Sequence, residues 1–248
     1  MSLLKAIFLG IIQGLTEFFP VSSSAHLKLI RYLFHIQIDD LFFDLICHGG
    51  TLLALIVFLR KETFSHFFNI EKTKKIFFAL LPLPFIYLML HPIIYHISNM
   101  KFIGIMMILS GSFLSLASYY ERKFPSRKIK DMLCIGVMQG MALLPGLSRS
   151  GMTIAMGSIR GWPINEAVMF SFLLAIPTVM GGIGLEAIKL KATITLPMSH
   201  YIAGFISSFV VGLLAVRVIF SLWKKKQLLY FAIYCIIIGC VAALFLKG

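Results

Sequence analysis

The chain has 248 residues, of which 59% are hydrophobic and 13% are charged. Soluble domains carry about 25% charged residues, so the apolar surplus, with a mean hydropathy of +0.92, must face lipid. The formal net charge is +13. Lysine and arginine collect in the cytoplasmic loops of membrane proteins, so this excess requires no nucleic acid as a partner. The composition excludes a water-soluble enzyme and predicts an integral membrane protein.

Six apolar stretches are long enough to cross a bilayer, because a helical crossing needs about 20 residues. They lie at 41–60, 76–97, 102–120, 164–186, 200–222 and 228–247. Two further stretches, 2–34 and 131–160, are interrupted by glycine, proline and polar residues, and each is predicted to be a re-entrant helical hairpin. Irregular backbone at membrane depth is stable only where protein or a water-filled cavity surrounds it. The sequence thus predicts an all-α polytopic membrane protein with six transmembrane helices and two hairpins, whose breaks are the candidate functional regions.

Basic residues indicate the orientation of the spans. Most of the 23 lysines and arginines lie in three segments, at 60–75, 122–130 and 217–226. With six spans and two re-entrant hairpins, all three segments fall on one side, which the positive-inside rule assigns to the cytoplasm. Both termini are then outside, and the first hairpin enters from outside whereas the second enters from the cytoplasm.

The two hairpins resemble each other in sequence. Residues 11–14 align with 137–140, which pairs Gln13 with Gln139, and residues 20–24 align with 145–150. Each half of the chain, 1–121 and 122–248, then contains one broken hairpin and three spans. An odd number of crossings inverts one half relative to the other, and inverted repeats with broken helices place a binding site near the midplane of the membrane.

The first break combines an acid, three serines and an imidazole. Glu17 is a carboxylate deep within an apolar stretch, where an unpaired charge is costly, so we expect it to have a partner or a metal ion. Pro20 is expected to end the first half-helix. The serines at 22–24 are expected to cap the second, with its N–H groups facing the gap, and His26 follows. The alternative is a capped kink with a paired glutamate.

The second break combines a glycine, three hydroxyls and an arginine. Gly146 lets the backbone curve around an anion, and Ser148, Ser150 and Thr153 supply the hydroxyls. The planar fork of Arg149 suits phosphate, and the half-helix that follows directs its positive end inward. The alternative is a cytoplasmic turn whose arginine only follows the positive-inside rule. Together the breaks predict a site for a multiply charged anion, with groups for acid–base or nucleophilic chemistry.

The two segments resemble the paired signatures of the bacterial undecaprenyl-diphosphate phosphatase family, also called bacitracin-resistance proteins. The first is similar to (E/Q)xxxE followed by Phe-x-Pro-Val-Ser-Ser and a histidine, and the second to Pro-Gly-x-Ser-Arg-Ser-x-x-Thr. The chain departs from this pattern at Gln13, where many members have glutamate, and at Ala25, where glycine is usual. The first difference leaves Glu17 as the sole acid of the pair, which weakens a two-carboxylate metal site.

The resemblance implies hydrolysis of undecaprenyl diphosphate to undecaprenyl phosphate and inorganic phosphate, which recycles the lipid carrier of peptidoglycan synthesis and gives bacitracin resistance. It also implies a divalent cation, Mg or Ca, with Glu17 as its ligand. The expected location is the bacterial inner membrane, with the site opening to the extracytoplasmic side. The expected partners are the substrate and membrane lipid, and a homo-oligomer stays open. The alternative function is a transporter or flippase of a phosphorylated isoprenoid lipid, since an inverted repeat also fits transport.

Matching positions imply the site residues. The catalytic residues are Glu17, Ser23, His26 and Arg149. The substrate-binding residues are Gln13, Ser22, Ser24, Gly146, Ser148, Ser150 and Thr153. The attacking group stays open between Ser23, His26 and water, and the lipid tail is expected among phenylalanines 42, 43 and 170. His48, with Gly49 and Gly50, is expected to allow close helix packing, with contact to the site as the alternative. Asp44, Glu166 and Glu186 lie toward span ends and are expected to reach interfacial water.

Overall fold

The computed structural model describes residues 1–36, 40–96, 99–120, 128–189, 195–222, 224 and 226–246, and within these ranges the regular structure is helical throughout. The helices are α1 Leu3–Thr16, α2 Ser23–Leu33, α3 Leu41–Phe58, α4 Arg60–Phe67, α5 Ile70–Leu80, α6 Pro82–His96, α7 Met100–Tyr119, α8 Ile129–Met141, α9 Arg149–Ile159, α10 Ile164–Lys189, α11 Met198–Leu222 and α12 Gln227–Phe245. In the described part of the chain, six helical segments are long and apolar enough to cross a membrane: α3, α5 with α6, α7, α10, α11 and α12. The prediction of an all-helical protein with six membrane-spanning helices is confirmed.

The second span begins earlier than the sequence pattern indicated. It covers Ile70–Pro92 rather than 76–97. The side chain of Asn69 caps α5 by accepting a hydrogen bond from the Lys72 N–H at 3.1 Å, which fixes the helix start there. The lysines assigned to the loop at 60–75 therefore lie partly on a helix, where a long side chain can keep its ammonium in water while its stem covers apolar surface.

Both predicted hairpins are present as pairs of short helices. In the first, α1 ends at Thr16 and not at Pro20, because proline lacks the N–H of a helical turn and disfavours helical backbone in the residue before it. In the second, α8 ends at Met141 and α9 begins at Arg149. The irregular segments between the paired helices are the two breaks.

The hairpins pack against spans from the other half of the chain. Helix α1 lies against α11 and α3, whereas α8 lies against α5, α6 and α9. Helix α9 in turn contacts α10 and α7. This crossed packing brings the two breaks toward each other. The inverted relation of the halves and the division at residue 121 stay predictions.

Small residues allow α1 to lie directly against α11. A methyl group added to Gly10 would lie 2.6 Å from the carbonyl oxygen of Gly204, and one added to Gly14 would lie 2.7 Å from that of Ser208. Close backbone approach through small residues is a common basis of helix association in membranes. It holds the end of α1, and with it the first break, at the centre of the protein.

Candidate active site

Glu17 and Arg149 join the two breaks. Glu17 follows the last residue of α1 and is 8% exposed. Arg149 is the first residue of α9, and its Nη2 donates to Oε1 of Glu17 at 2.5 Å. Removing one partner of such a buried pair leaves an uncompensated charge, at a cost of about 3–5 kcal/mol. The buried glutamate therefore has the partner that its position required.

The second oxygen of Glu17 is held by neutral groups. Ser23 Oγ donates to Oε2 at 2.7 Å, and Gln13 Nε2 donates to the same oxygen at 3.0 Å. Gln13 Nε2 also lies 2.9 Å from Nδ1 of His48. Because the amide N–H donates, Nδ1 accepts, which places the proton of a neutral ring on Nε2. A serine hydroxyl bonded to a buried carboxylate is the arrangement of a nucleophile beside its base.

His48 reaches the site, which was the alternative to a role in close helix packing alone. Its Nδ1 lies 3.5 Å from Glu17 Oε2. The cause is the packing of α3: Gly50 lies so close to α11 that a methyl group there would clash with Ser208, and this turns the His48 face of α3 toward α1. A lone histidine in an apolar stretch carried no local signal of this role.

The first break is held in an uncommon backbone conformation. Ser22 has φ 69° and ψ 95°, a positive φ that residues other than glycine seldom adopt. Its hydroxyl caps α2 by accepting from the Ala25 N–H at 3.4 Å. Strained backbone of this kind persists where the surroundings fix it and is concentrated at functional sites. The cap places Ser23 at the first turn of α2, beside Glu17.

The second break is held against α7. Ser148 caps α9 by accepting from the Gly151 N–H at 3.1 Å, and its own N–H donates to Ser110 Oγ at 3.3 Å. Gly146 has φ +104°, and a methyl group there would lie 2.5 Å from the carbonyl oxygen of Ile103. Only glycine fits this position, because both the backbone angle and the space exclude a side chain. Gly146 shapes the loop and lies outside the cavity lining.

A cavity of about 460 Å³ lies between the breaks, within the range of about 300–1,000 Å³ typical of ligand sites. Its polar lining consists of Glu17, Ser22, Ser23, Ser24, Asp44, His48, Gln139, Ser148, Arg149, Thr178 and Glu186. Its apolar lining includes Leu41, Leu45, Leu83, Ala142, Leu143, Leu147, Val179 and Ile183. The cavity therefore combines a charged, hydroxyl-rich part with an aliphatic wall.

His26 does not line this cavity. Its Nδ1 lies 2.7 Å from the Ser22 carbonyl oxygen, and its Nε2 lies 2.7 Å from Tyr234 Oη on α12. The two rings are stacked with centroids 5.6 Å apart. The imidazole thus fixes the carbonyl of the strained residue and ties the break to a distant span. Tyr234, which lies in an apolar helix, was not anticipated from sequence.

Ser150 and Thr153 also hold the breaks in place. Ser150 Oγ donates to the carbonyl oxygen of Phe19 at 3.2 Å, which links the second break to the first. Thr153 Oγ1 donates to the Arg149 carbonyl oxygen at 2.9 Å and lies 2.6 Å from Ser171 Oγ. Both residues are buried outside the cavity lining, so the structure places them in support of Arg149.

The phenylalanines expected around a lipid tail lie elsewhere. Phe42 and Phe43 pack against Tyr201, and Phe170 packs edge-on against Trp162. Phe43 is 1% exposed and belongs to the core. Aliphatic side chains, not these rings, form the apolar wall of the cavity.

Asp44 forms an ion pair with Arg31 near the start of α3. Arg31 Nη1 donates to Asp44 Oδ2 at 2.8 Å and Nη2 donates to Oδ1 at 2.5 Å. Asp44, Glu17 and Glu186 are the acids that line the cavity. Among the described residues, no three His, Cys, Asp or Glu side chains converge as a metal site. Magnesium, however, often takes only one or two carboxylates together with phosphate oxygens of the substrate, and Glu17 fits that kind of shared ion.

Comparison with known proteins agrees with the motif resemblance. The family described as bacitracin resistance protein BacA matches residues 6–241. The chain is 36% identical over 256 residues to the undecaprenyl-diphosphatase of Protochlamydia amoebophila, with 100% of both chains covered. It is 36% identical to that of Bacteroides thetaiotaomicron, covering 96% of this chain and 97% of the relative. It is 37% identical to that of Bacteroides fragilis strain YCH46, covering 96% of each.

Proposed function

The chain belongs to the bacitracin resistance protein family, and we propose that it hydrolyses undecaprenyl diphosphate to undecaprenyl phosphate and inorganic phosphate. The observation that carries this proposal is the contact of Ser23 and Arg149 with the two oxygens of Glu17. A nucleophile, a base and a phosphate-binding cation meet there, in a cavity with an aliphatic wall. The polar part suits the diphosphate, and the wall suits the first isoprene units of the lipid.

The diphosphate binds where two helices begin. Ser23 and Arg149 are the first residues of α2 and α9, and both line the cavity. Helix N-termini favour anions through their free N–H groups and their dipole. Arg149 uses Nη2 for Glu17, whereas Nη1 is buried without a hydrogen-bond partner in the described part of the chain. The guanidinium thus retains donors for a phosphoryl group.

Ser23 is the proposed nucleophile, and Glu17 is its base. As Ser23 Oγ forms a bond to the terminal phosphorus, its proton passes to Glu17 Oε2, 2.7 Å away. The bond from phosphorus to the bridging oxygen breaks, and undecaprenyl phosphate leaves. Water then cleaves the phosphoserine to give inorganic phosphate. Arg149 stabilises the charge on the phosphoryl oxygens in both steps. His26 supports the break through Ser22 and does not attack.

We also propose that the protein uses a divalent cation, Mg or Ca, which Glu17 would hold. Such an ion would offset the charge of the phosphoryl oxygens. The support is the chemistry of the lining, in which a carboxylate lies beside the hydroxyls of Ser22 and Ser24. Activity should disappear with EDTA and return with either metal ion, while the unfolding temperature without substrate stays unchanged.

The protein is a multi-pass membrane protein, and we propose that it lies in the bacterial inner membrane with its site open to the extracytoplasmic side. The lining includes Leu41 and Asp44 at the start of α3, and Gly182 and Glu186 near the end of α10. These helix ends are opposite the basic segment at 60–75. This placement supports a role in recycling the peptidoglycan lipid carrier outside the cytoplasm and, through it, in bacitracin resistance.

The test is phosphate release from undecaprenyl diphosphate by purified protein in detergent, which needs no membrane gradient. We expect release by the wild type. Arg149→Lys should lose most of the activity, because it keeps the charge without the fork, and Arg149→Ala nearly all of it. If folded wild-type protein releases no phosphate, hydrolysis is wrong, and transport of a phosphorylated isoprenoid lipid becomes the better account.

A further inference from the structure

Gln139 is a buried glutamine whose amide has no partner. It lies on α8, is 2% exposed and lines the same cavity as Glu17, Ser23 and Arg149. Neither its Nε2 nor its Oε1 has a hydrogen-bond partner within the described part of the chain. Buried polar groups are almost always hydrogen-bonded in native proteins. Because Gln139 lines the cavity, its buried and unpartnered amide points to a ligand there.

Packing fixes Gln139 in this position. A methyl group on Gly136, one turn earlier, would clash with the carbonyl oxygen of Ala79 on α5, and one on Gly140 would lie 2.5 Å from the Ile86 side chain on α6. Helix α8 therefore cannot rotate to give the amide another partner. The aligned residue Gln13 differs, since its Nε2 serves both Glu17 and His48.

The two ends of the amide limit what can bind to it. An ionised phosphoryl oxygen accepts hydrogen bonds and cannot donate, so it satisfies Nε2 only. Oε1 requires a hydrogen-bond donor, and the reaction itself supplies one in water. We propose that Gln139 positions the attacking water, with Nε2 on a phosphoryl oxygen and Oε1 accepting from that water. A glutamine has this role in other phosphoryl-transfer enzymes.

The proposal rests on the hydrolysis proposed above and adds the group that directs its second step. The water oxygen bonds to phosphorus as the bond from phosphorus to Ser23 Oγ breaks. Ser23 Oγ recovers the proton that Glu17 holds. One proton of the water passes to Glu17 and then to solvent, and the other leaves with the phosphate. No further reactant is needed.

Two variants of Gln139 separate this role from simple phosphate binding. Gln139→Met keeps the length and removes both polar ends, so kcat should fall about tenfold or more. The Kd of a non-hydrolysable methylene analogue of the lipid diphosphate should weaken by less than kcat/KM falls, because the analogue loses only the hydrogen bond from Nε2 and has no attacking water to lose. Gln139→Glu keeps the acceptor but repels the anion, so the Kd should weaken about tenfold or more while kcat at saturation falls less than in Gln139→Met.

Gln227→Met is the matched control, because it makes the same substitution at a glutamine of α12 outside the cavity lining, whose Oε1 accepts from the Lys224 N–H at 2.7 Å. Its kcat and Kd should both stay within about twofold of wild type. The inference is overturned if Gln139→Met keeps kcat within about threefold of wild type, since the amide would then contact only ordinary buried water. It is also overturned if the Kd of the methylene analogue weakens as much as kcat/KM falls. If Gln139→Met does not fold, Gln139→Glu decides: the inference requires its Kd to weaken about tenfold or more while kcat at saturation stays within about tenfold of wild type, and it is overturned if kcat falls further than the affinity. Absence of phosphate release by the wild type would instead refute the function itself.

Discussion

The two hairpins have similar sequences but different tasks. The first supplies the acid and the hydroxyl, Glu17 and Ser23, whereas the second supplies the guanidinium of Arg149. The aligned glutamines differ in the same way, since Nε2 of Gln13 contacts Glu17 and His48, whereas neither amide atom of Gln139 has a hydrogen-bond partner among the described residues. The first hairpin thus provides the negative charge and the hydroxyl of the site, and the second provides its positive charge. Similarity of sequence predicts the position of a side chain along the helix and does not predict its partner.

In both hairpins, a polar side chain one turn beyond the break holds the break in place, but the residue types differ. In the first, His26 lies one turn into α2, contacts the Ser22 carbonyl and reaches Tyr234 on α12. In the second, Thr153 lies one turn into α9, contacts the Arg149 carbonyl and reaches Ser171 on α10. A polar residue one turn beyond the break can therefore fix it without touching substrate, and this explains how a histidine in an active-site motif can be structural.

The largest effect is expected when the ion pair between Glu17 and Arg149, which links the two hairpins, is broken. Arg149→Ala should lower the free energy of unfolding by about 3–5 kcal/mol, because it leaves Glu17 buried without its cation. Glu17→Ala combined with Arg149→Ala should regain much of this stability and remain inactive. Chemical denaturation in detergent measures the first quantity, and phosphate release measures the second. A double variant that is no more stable than Arg149→Ala would show that the pair is not coupled.

The next effect compares two serines of similar position. Ser23→Ala should reduce kcat more than about 150-fold, which is beyond the loss of one hydrogen bond to a charged group, while the Kd of the methylene analogue is kept. Ser150→Ala removes the bonds to the Phe19 carbonyl and to Ser148 Oγ, neither of which involves a charged group, so its loss in kcat should be about tenfold or less. Equal losses in the two variants would remove the argument for Ser23 as the nucleophile.

The smallest effect concerns the supporting residues. Tyr234→Phe and His26→Ala disrupt one hydrogen bond in common, so each should lower activity by about three- to tenfold, and the double variant should lose little more than His26→Ala. Thr153→Val should have an effect of the same order. If His26→Ala were inactive at every pH while Tyr234→Phe kept full activity, His26 would be a reacting group and its structural assignment would be wrong.

Local sequence patterns explain what could be predicted. The spans follow from long apolar runs, the caps of Ser22 and Ser148 from serines before half-helices, and the need of Glu17 for a partner from its depth. The earlier start of the second span escaped prediction, because the lysines that mark a cytoplasmic segment also fit an interfacial helix. The contacts of Tyr234 and His48 could not be predicted with certainty from sequence, because they depend on which face of a helix packs against a break. An apolar helix carries little sequence signal about which of its faces packs against the rest of the protein.

The central claim is that Glu17 of the first hairpin and Arg149 of the second act together on one phosphate. The most direct measurement is a double-mutant cycle of kcat/KM for phosphate release with Glu17→Gln, Arg149→Lys and both. Residues that act as a unit give grossly non-additive losses. We predict that the double variant loses little more activity than the more damaging single variant. Losses that multiply would show that the two residues act independently and would contradict a single site shared by the hairpins.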